Sequence, residues 1–160
     1  MHIVEDGKAQ DLNVFARGNV DRKGPVAERR FLRVLSEGEP KSFTVGGGRE
    51  ALAAAIASRA NPLTSRVMVN RLWATFFGHG LISTPSNFGH QGQRPTHPEL
   101  LDDLAVRFME GGWSIKGLVR EVVLSATYCQ TSRADAHTQP LDADNQYLCR
   151  MAHRRLPVEM

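Results

Sequence analysis

The sequence predicts a mainly α protein: an irregular helical domain of four to five helices, with an extended N-terminal arm before it and one long structured loop within it. Three observations carry this reading. Apolar residues recur at three- and four-residue steps in four segments after residue 48, the pattern of amphipathic helices. Gly and Pro cut the preceding residues into pieces too short for long helices. Between the two best-marked helices, Leu81–Pro95 has no helical period over fifteen residues. A connection of that length in a compact domain is functional or is held by its own side chains.

Residues 1–48 form the arm and linker, and residues 49–160 the helical domain, cut short at its C-terminal end. In the arm, Asp6-Gly7, Gly18-Asn19, Gly24-Pro25, Gly38 and Pro40 separate short segments such as Leu12–Arg17 and Phe31–Leu35. The linker Lys41–Gly48 ends in three glycines, but Arg49-Glu50 follow where a phosphate loop needs Lys and Ser or Thr. A flexible lead-in to the first helix is a sufficient explanation.

The first helix, Arg49–Arg59, is Ala-rich and aligns Leu52 and Ile56 with small residues, which suits docking through a flat face. Asn61-Pro62 stop it and supply a cap and first-turn proline for the second. That helix places Leu63, Val67, Asn70, Trp73 or Ala74, and Phe77 on one face, with Met68, Leu72 and Phe76 widening it, and ends at Gly78. Thr96-His97-Pro98-Glu99 fits a capping box for the third helix, whose stripe is Leu100, Leu101, Leu104, Ala105, Phe108 and Met109. Ser114 caps the fourth, which runs to Tyr128 behind Ile115, Leu118, Val119, Val122, Val123 and Ala126. A last short helix is expected over Asn145–His153.

Composition bounds the function. At 160 residues, 41% hydrophobic and 23% charged, the chain is of ordinary globular type. No apolar run reaches the ~20 residues of a membrane span, and MHIVEDGKAQ lacks the apolar core of a signal peptide. Two cysteines are too few for a four-thiolate zinc site. The net charge of +3 comes from 20 basic residues, mostly Arg, interspersed with 17 acids. That is a solubility setting, and nucleic acid is not an expected partner.

Several constellations have chemical content. His79, His90 and His97 bracket the long loop and are of metal- or haem-ligating type, although no pair has the i, i+4 spacing of a preformed helical site. Glu99 lies within a helical turn of Asp102 and Asp103, but paired acid catalysis uses carboxyls facing each other across a cleft, and a cap explains Glu99 better. Ser83, Ser86, Ser125 and Ser132 lack the Gly-x-Ser-x-Gly elbow. Cys129 and His137 are a thiol and an imidazole near each other only in sequence. Arg66 and Asn70 share a face of an otherwise apolar helix, beside Arg71. Either they tie down carbonyls of the Leu81–Pro95 loop or they receive an anion such as a sugar acid, a sulfate or a haem propionate; buried polar groups usually find protein partners, which favours the first.

A longer pattern is more specific. Asn61-Pro62-Leu63-Thr64-Ser65-Arg66-Val67-Met68-Val69-Asn70-Arg71-Leu72-Trp73 is followed by Phe77-Gly78-His79-Gly80-Leu81 and Thr84-Pro85-Ser86-Asn87-Phe88-Gly89. Then come Pro95-Thr96-His97-Pro98-Glu99-Leu100-Leu101, Gly112-Trp113-Ser114 and Ser125-Ala126-Thr127-Tyr128. In this order the chain resembles a planctomycete-specific domain of unknown function, found at the C-terminal end of large surface or periplasmic proteins behind cytochrome-c-like modules. The likeness is close from Asn61 to Arg155 and weaker from Val14 to Leu35. It implies that the chain is a piece of such a protein, periplasmic or at the cell surface, with the export signal and haem modules upstream and further helix beyond Arg154-Arg155-Leu156. The family brings no established reaction. No Cys-x-x-Cys-His occurs, so this segment attaches no c-type haem covalently, and no cofactor or metal is expected in it.

The chain departs from the family pattern at Asp103, where Trp is common, at Asn87 for Asp, at Cys129 for Arg, and at Pro157 for an acid; Cys149 is also atypical. Cys129 and Cys149 are either a private disulfide or two independent small residues.

The function expected is therefore that of a non-catalytic helical accessory or interaction domain of a larger extracytoplasmic, cytochrome-associated protein. Its partners would be neighbouring domains, with a glycan or another protein as further candidates. The alternative is a hydrolase or metal-dependent enzyme domain with a loop-built site around His79, His90, His97 and Glu99. Arg66, Asn70, Arg71, His79, His97 and Glu99 are the candidate binding residues.

Overall fold

A computed structural model describes residues 9–133, 136 and 139–153 of the chain. His137 and the Arg154–Pro157 segment lie outside the described residues. The chain divides into two compact units, one ending at Pro62 and one beginning at Leu63. Among the described residues helical content is 38%, in five α-helices and two short 3-10 turns accompanied by a two-stranded antiparallel sheet, so the architecture is mixed and only in part mainly α.

In the first unit, β1 (Leu12–Phe15) pairs with β2 (Lys23–Ala27). Leu12 faces Ala27, Asn13 faces Val26 and Phe15 faces Lys23, with a register shift between Asn13 and Phe15. The reversal uses Arg17 (φ 54°) and Gly18 (φ 74°) in the left-handed region, which Gly enters at no steric cost. β2 runs through Gly24-Pro25, a pair the sequence marks as a break between segments. The pairing of the two strands into a hairpin is the part it did not indicate. A bridge between Arg30 and Ser42, with the Phe43 amide donating to the Arg29 carbonyl at 2.7 Å, folds the chain back again. Arg29 also pairs with Asp11 at 2.7 Å and donates to the Gly46 carbonyl at 3.0 Å.

Helix α1 (Arg49–Ile56) follows Gly48, whose φ of 81° lets the chain turn into the helix. It ends earlier than the predicted Arg59, and none of its residues is buried; Leu52 and Ile56 are exposed. The docked face expected of it is therefore corrected. The Asn61 side-chain amide turns back to donate to the Ile56 carbonyl at 3.0 Å.

The second unit is built on α2 (Thr64–Phe77), which starts two residues later than Pro62 would place it and ends at Gly78 (φ 88°). Its buried stripe is Ser65, Val69, Trp73 and Phe77 with Asn70 beside them, an i, i+4 row rotated from the predicted Leu63–Val67 edge. Leu63, Val67 and Met68 instead border a shallow groove with Arg71. Helix α3 (Pro98–Glu110) packs on α2 and buries Leu101, Leu104, Ala105 and Phe108, as its period predicts. Its capping box does not form. His97 is the capping residue and makes no side-chain cap bond, and the Thr96 amide donates to the Leu81 carbonyl at 2.9 Å.

Helix α4 (Ile115–Val123) begins as expected, with the Ser114 hydroxyl accepting from the Gly117 amide at 3.1 Å. It stops short of Tyr128 because Ser125 caps a new turn, α5 (Ala126–Cys129), accepting from the Tyr128 amide at 3.2 Å. The core gathers Trp73 stacked on Phe77 at 4.2 Å, Tyr128 edge-on to Phe77 at 5.8 Å, and Phe108 edge-on to Trp113 at 5.4 Å. Asp103 is exposed and shares Arg107 with Glu121, at 2.8 and 2.6 Å. The helix predicted over Asn145–His153 is replaced by turns, because Asn145 (φ 54°) and Leu148 (φ 57°) adopt left-handed conformations that no α-helix propagates.

Candidate functional site

The polar residues on α2 part company. Asn70 is 1% exposed, and both faces of its amide are used on one residue. Nδ2 donates to the Ile82 carbonyl at 3.0 Å, and the Ile82 amide donates to Oδ1 at 2.8 Å. The side chain thus imitates a strand partner and closes the chain that leaves α2 back onto the helix. Arg66 pairs with Asp102 of α3 at 2.6 Å and so ties helix to helix. Arg71 is exposed.

Gly80 is required for the Asn70 bond. A Cβ there would lie 2.6 Å from Asn70 Oδ1, 2.7 Å from Nδ2 and 2.7 Å from the Ile82 carbonyl oxygen, closer than real side chains approach. Gly80→Ala should cost about 1–3 kcal/mol, the usual penalty of overpacking, measured as a lowered urea midpoint. An unchanged midpoint would mean that Asn70 does not hold this position.

The chain between α2 and α3 is held largely by its own groups. Thr84 Oγ1 donates to the Asn87 carbonyl at 3.0 Å and accepts from the Gln93 amide at 3.1 Å. Ser83 is hydrogen-bonded to the Gln93 side chain. Asn87 Oδ1 accepts from the Gly89 amide at 3.1 Å. Gly92 passes so close to the Asn87 carbonyl that a Cβ would lie 2.0 Å from its oxygen. These bonds are local side-chain substitutes for a ladder, which is how an irregular segment satisfies its backbone.

A second self-bonded segment follows α5. Asp142 and Asn145 are buried. The Asp142 carboxylate accepts from the amides of Gln146 at 2.7 Å and Tyr147 at 2.9 Å. Asn145 donates to the Arg150 carbonyl at 2.8 Å and accepts from its amide at 3.2 Å. Gln130 donates to the Leu148 carbonyl and the Met151 amide to the Thr131 carbonyl, which fasten this segment to the end of α5. Sequence reasoning missed this unit. Its signal is an Asp and an Asn three apart in a turn-rich stretch, a pattern of local backbone capping.

Desolvation by itself would raise the Asp142 carboxyl; the Tyr147 and Gln146 amides, the Cys149 thiol and Arg150 outweigh it and hold it below the ordinary carboxylate value. A lowered carboxyl contributes stability that is complete above the unfolded value and is lost as pH falls through the folded one. Acid titration below about pH 4 should therefore release this segment before the helices melt, seen as early loss of Tyr147 amide protection. Loss only together with the helices would contradict it. Desolvation, followed by the Asp142 carboxylate, pushes the Cys149 thiol up, with Arg150 opposing. Cys129 and Cys149 are both free and exposed, so the disulfide considered from sequence is not formed.

Between these two segments lies a cleft of about 390 Å³. From the α2–α3 side it is lined by His79, Gly80, Leu81, Ser83, Gln93, Arg94 and Thr96, and from the other by Asp144 and Gln146. The segments also meet through His97, edge-on to Tyr147 at 6.2 Å, with the His97 Nδ1 3.0 Å from Thr96 Oγ1. Of the sequence candidates, His79 lines the cleft, His97 joins its two sides, and neither His90 nor Glu99 is among its lining residues. Among the described residues no three His, Cys, Asp or Glu side chains are grouped to hold a metal ion, and no helix is long and apolar enough to cross a membrane.

No curated protein and no solved structure matches the chain. A family model does, over residues 48–160, under the description "PSD1: Protein of unknown function (DUF1553)". The match takes in the Asn70 bond, both self-bonded segments and the cleft between them, and by it the chain belongs to the DUF1553 family of proteins of unknown function.

Proposed function

We propose that this chain is a non-catalytic accessory domain of a larger extracytoplasmic, cytochrome-associated protein, acting by binding neighbouring domains, a glycan or another protein. The observation that carries the reading is the use of Asn70. A buried amide on an apolar helix is where an enzyme would place a substrate contact, and here both its hydrogen-bonding faces are spent on the Ile82 backbone. Arg66 is engaged with Asp102 in the same way. Membership in a family of unknown function is consistent with this role. The resemblance to the C-terminal domains of planctomycete surface proteins supports the location and the cytochrome association.

The test combines equilibrium metal analysis with hydrolase and redox substrate panels on the 160-residue chain, alongside fractionation of the parent protein. No turnover above buffer, no stoichiometric metal and an extracytoplasmic fraction are expected. Turnover that His97→Ala abolishes at an unchanged melting temperature would overturn the non-catalytic reading. A cytoplasmic parent protein would overturn the location.

A further inference from the structure

We infer that the cleft between the two self-bonded segments is a binding site for an acidic saccharide, one or two sugar rings carrying a carboxylate. This inference rests on the accessory-domain reading and gives its binding partner a chemical class. The cleft's volume, about 390 Å³, falls in the range of small-molecule sites, about 300–1,000 Å³. Its lining includes groups that make paired, in-plane hydrogen bonds. Arg94 offers a planar fork of donors, Asp144 two acceptor oxygens, and Gln146 one donor and one acceptor end. Vicinal hydroxyls of a sugar ring present the complementary spacing.

Charge narrows the class. Among the described residues, Arg94 and Asp144 make no ion pair or hydrogen bond with the protein through their side chains, although both line this one cleft. An uncombined guanidinium selects a planar anion, since fork-to-carboxylate pairing is its strongest contact. An uncombined carboxylate in the same cleft disfavours a compact multivalent anion such as phosphate and welcomes hydroxyl donors. A neutral sugar would satisfy Asp144 and leave Arg94 without its charge partner. A sugar acid satisfies both.

The surroundings are preorganised for such a ligand. Gly80 and Leu81 in the lining are fixed by the Asn70–Ile82 bonds and by Thr96, whose amide donates to the Leu81 carbonyl. Ser83 and Gln93 are bonded to each other, and Asp144 and Gln146 flank the Asn145 that locks its own segment to Arg150. A ligand in the cleft meets walls whose backbones are already ordered, which lowers the entropic cost of binding.

Isothermal titration of the chain with digalacturonate and dimannuronate tests this, with cellobiose as the neutral counterpart and inorganic phosphate as the bare anion. At least one uronate disaccharide should bind saturably, and Arg94→Gln and Asp144→Asn should each weaken it about tenfold or more, the scale of one charged hydrogen bond. Both side chains are exposed, so both variants should keep the parent melting temperature. Cellobiose should bind about tenfold more weakly than the uronate on the same reasoning. Absence of saturable binding by both uronates, binding that neither substitution weakens, or phosphate binding as tightly as the uronate would each overturn the inference. Cleavage of a bound disaccharide would instead overturn the non-catalytic reading and leave the cleft's occupant standing.

Discussion

Asn70→Ala lowers the unfolding free energy by about 2–6 kcal/mol, because it strands two buried backbone groups at ~1–3 kcal/mol each. The groups are the Ile82 amide and carbonyl, and their partner side chain is 1% exposed. Water does not replace the lost partner cheaply at a site this enclosed. Asn70→Asp keeps an acceptor for the Ile82 amide, but it turns an oxygen toward the Ile82 carbonyl and buries a charge, so it should not restore the wild-type value. Urea titrations with an unchanged slope check both variants. A loss well under 1 kcal/mol for the alanine variant would be smaller than that of an ordinary net hydrogen bond, and would mean that the Ile82 groups have other partners.

Phe77→Ala should be the most damaging core substitution, at about 3–5 kcal/mol. Phe77 is 1% exposed, stacks on Trp73 at 4.2 Å, and meets Tyr128 edge-on at 5.8 Å. It therefore joins α2 to α5, and truncation opens a cavity bounded by rings that cannot all collapse inward. Against a domain stability of about 5–15 kcal/mol, such a loss brings the second unit close to unfolding at ordinary temperature. Phe77→Leu should recover part of it. Equal denaturant midpoints for the alanine variant and wild type would show that this contact is not in the core.

The helices were legible because their information is local. The α3 stripe of Leu101, Leu104, Ala105 and Phe108 and the Ser114 cap of α4 follow from residues within a few positions of one another. What was misread depends on competition between nearby alternatives. Thr96 has the identity of a cap, but its amide is taken by Leu81, fifteen residues away. Ser125 interrupts an apolar run whose period continues through it, because its hydroxyl can serve the Tyr128 amide.

The site was legible in outline only. Asn70 stood out as polar on an apolar face, and its tie to the following segment was the expected kind of contact. Its partner Ile82 carries no polar side-chain signal, since the bonded groups are backbone. Arg94, Asp144 and Gln146 are ordinary surface residues one by one, and they acquire meaning only when two distant segments face the same cleft. The burial of Asp142 and Asn145 was equally invisible, because polar residues in a turn-rich stretch are usually solvated.

Amide hydrogen exchange at Ile82 in the unmodified chain tests the central claim most directly, that Asn70 fastens the exit of α2 as a structural bond. Protection comparable to that of the α2 amides around Val69 and Trp73 is the result this structure requires. Exchange at the rate of the exposed Ser83 and Ser86 amides would contradict it, and with it the ordered wall on which the cleft depends.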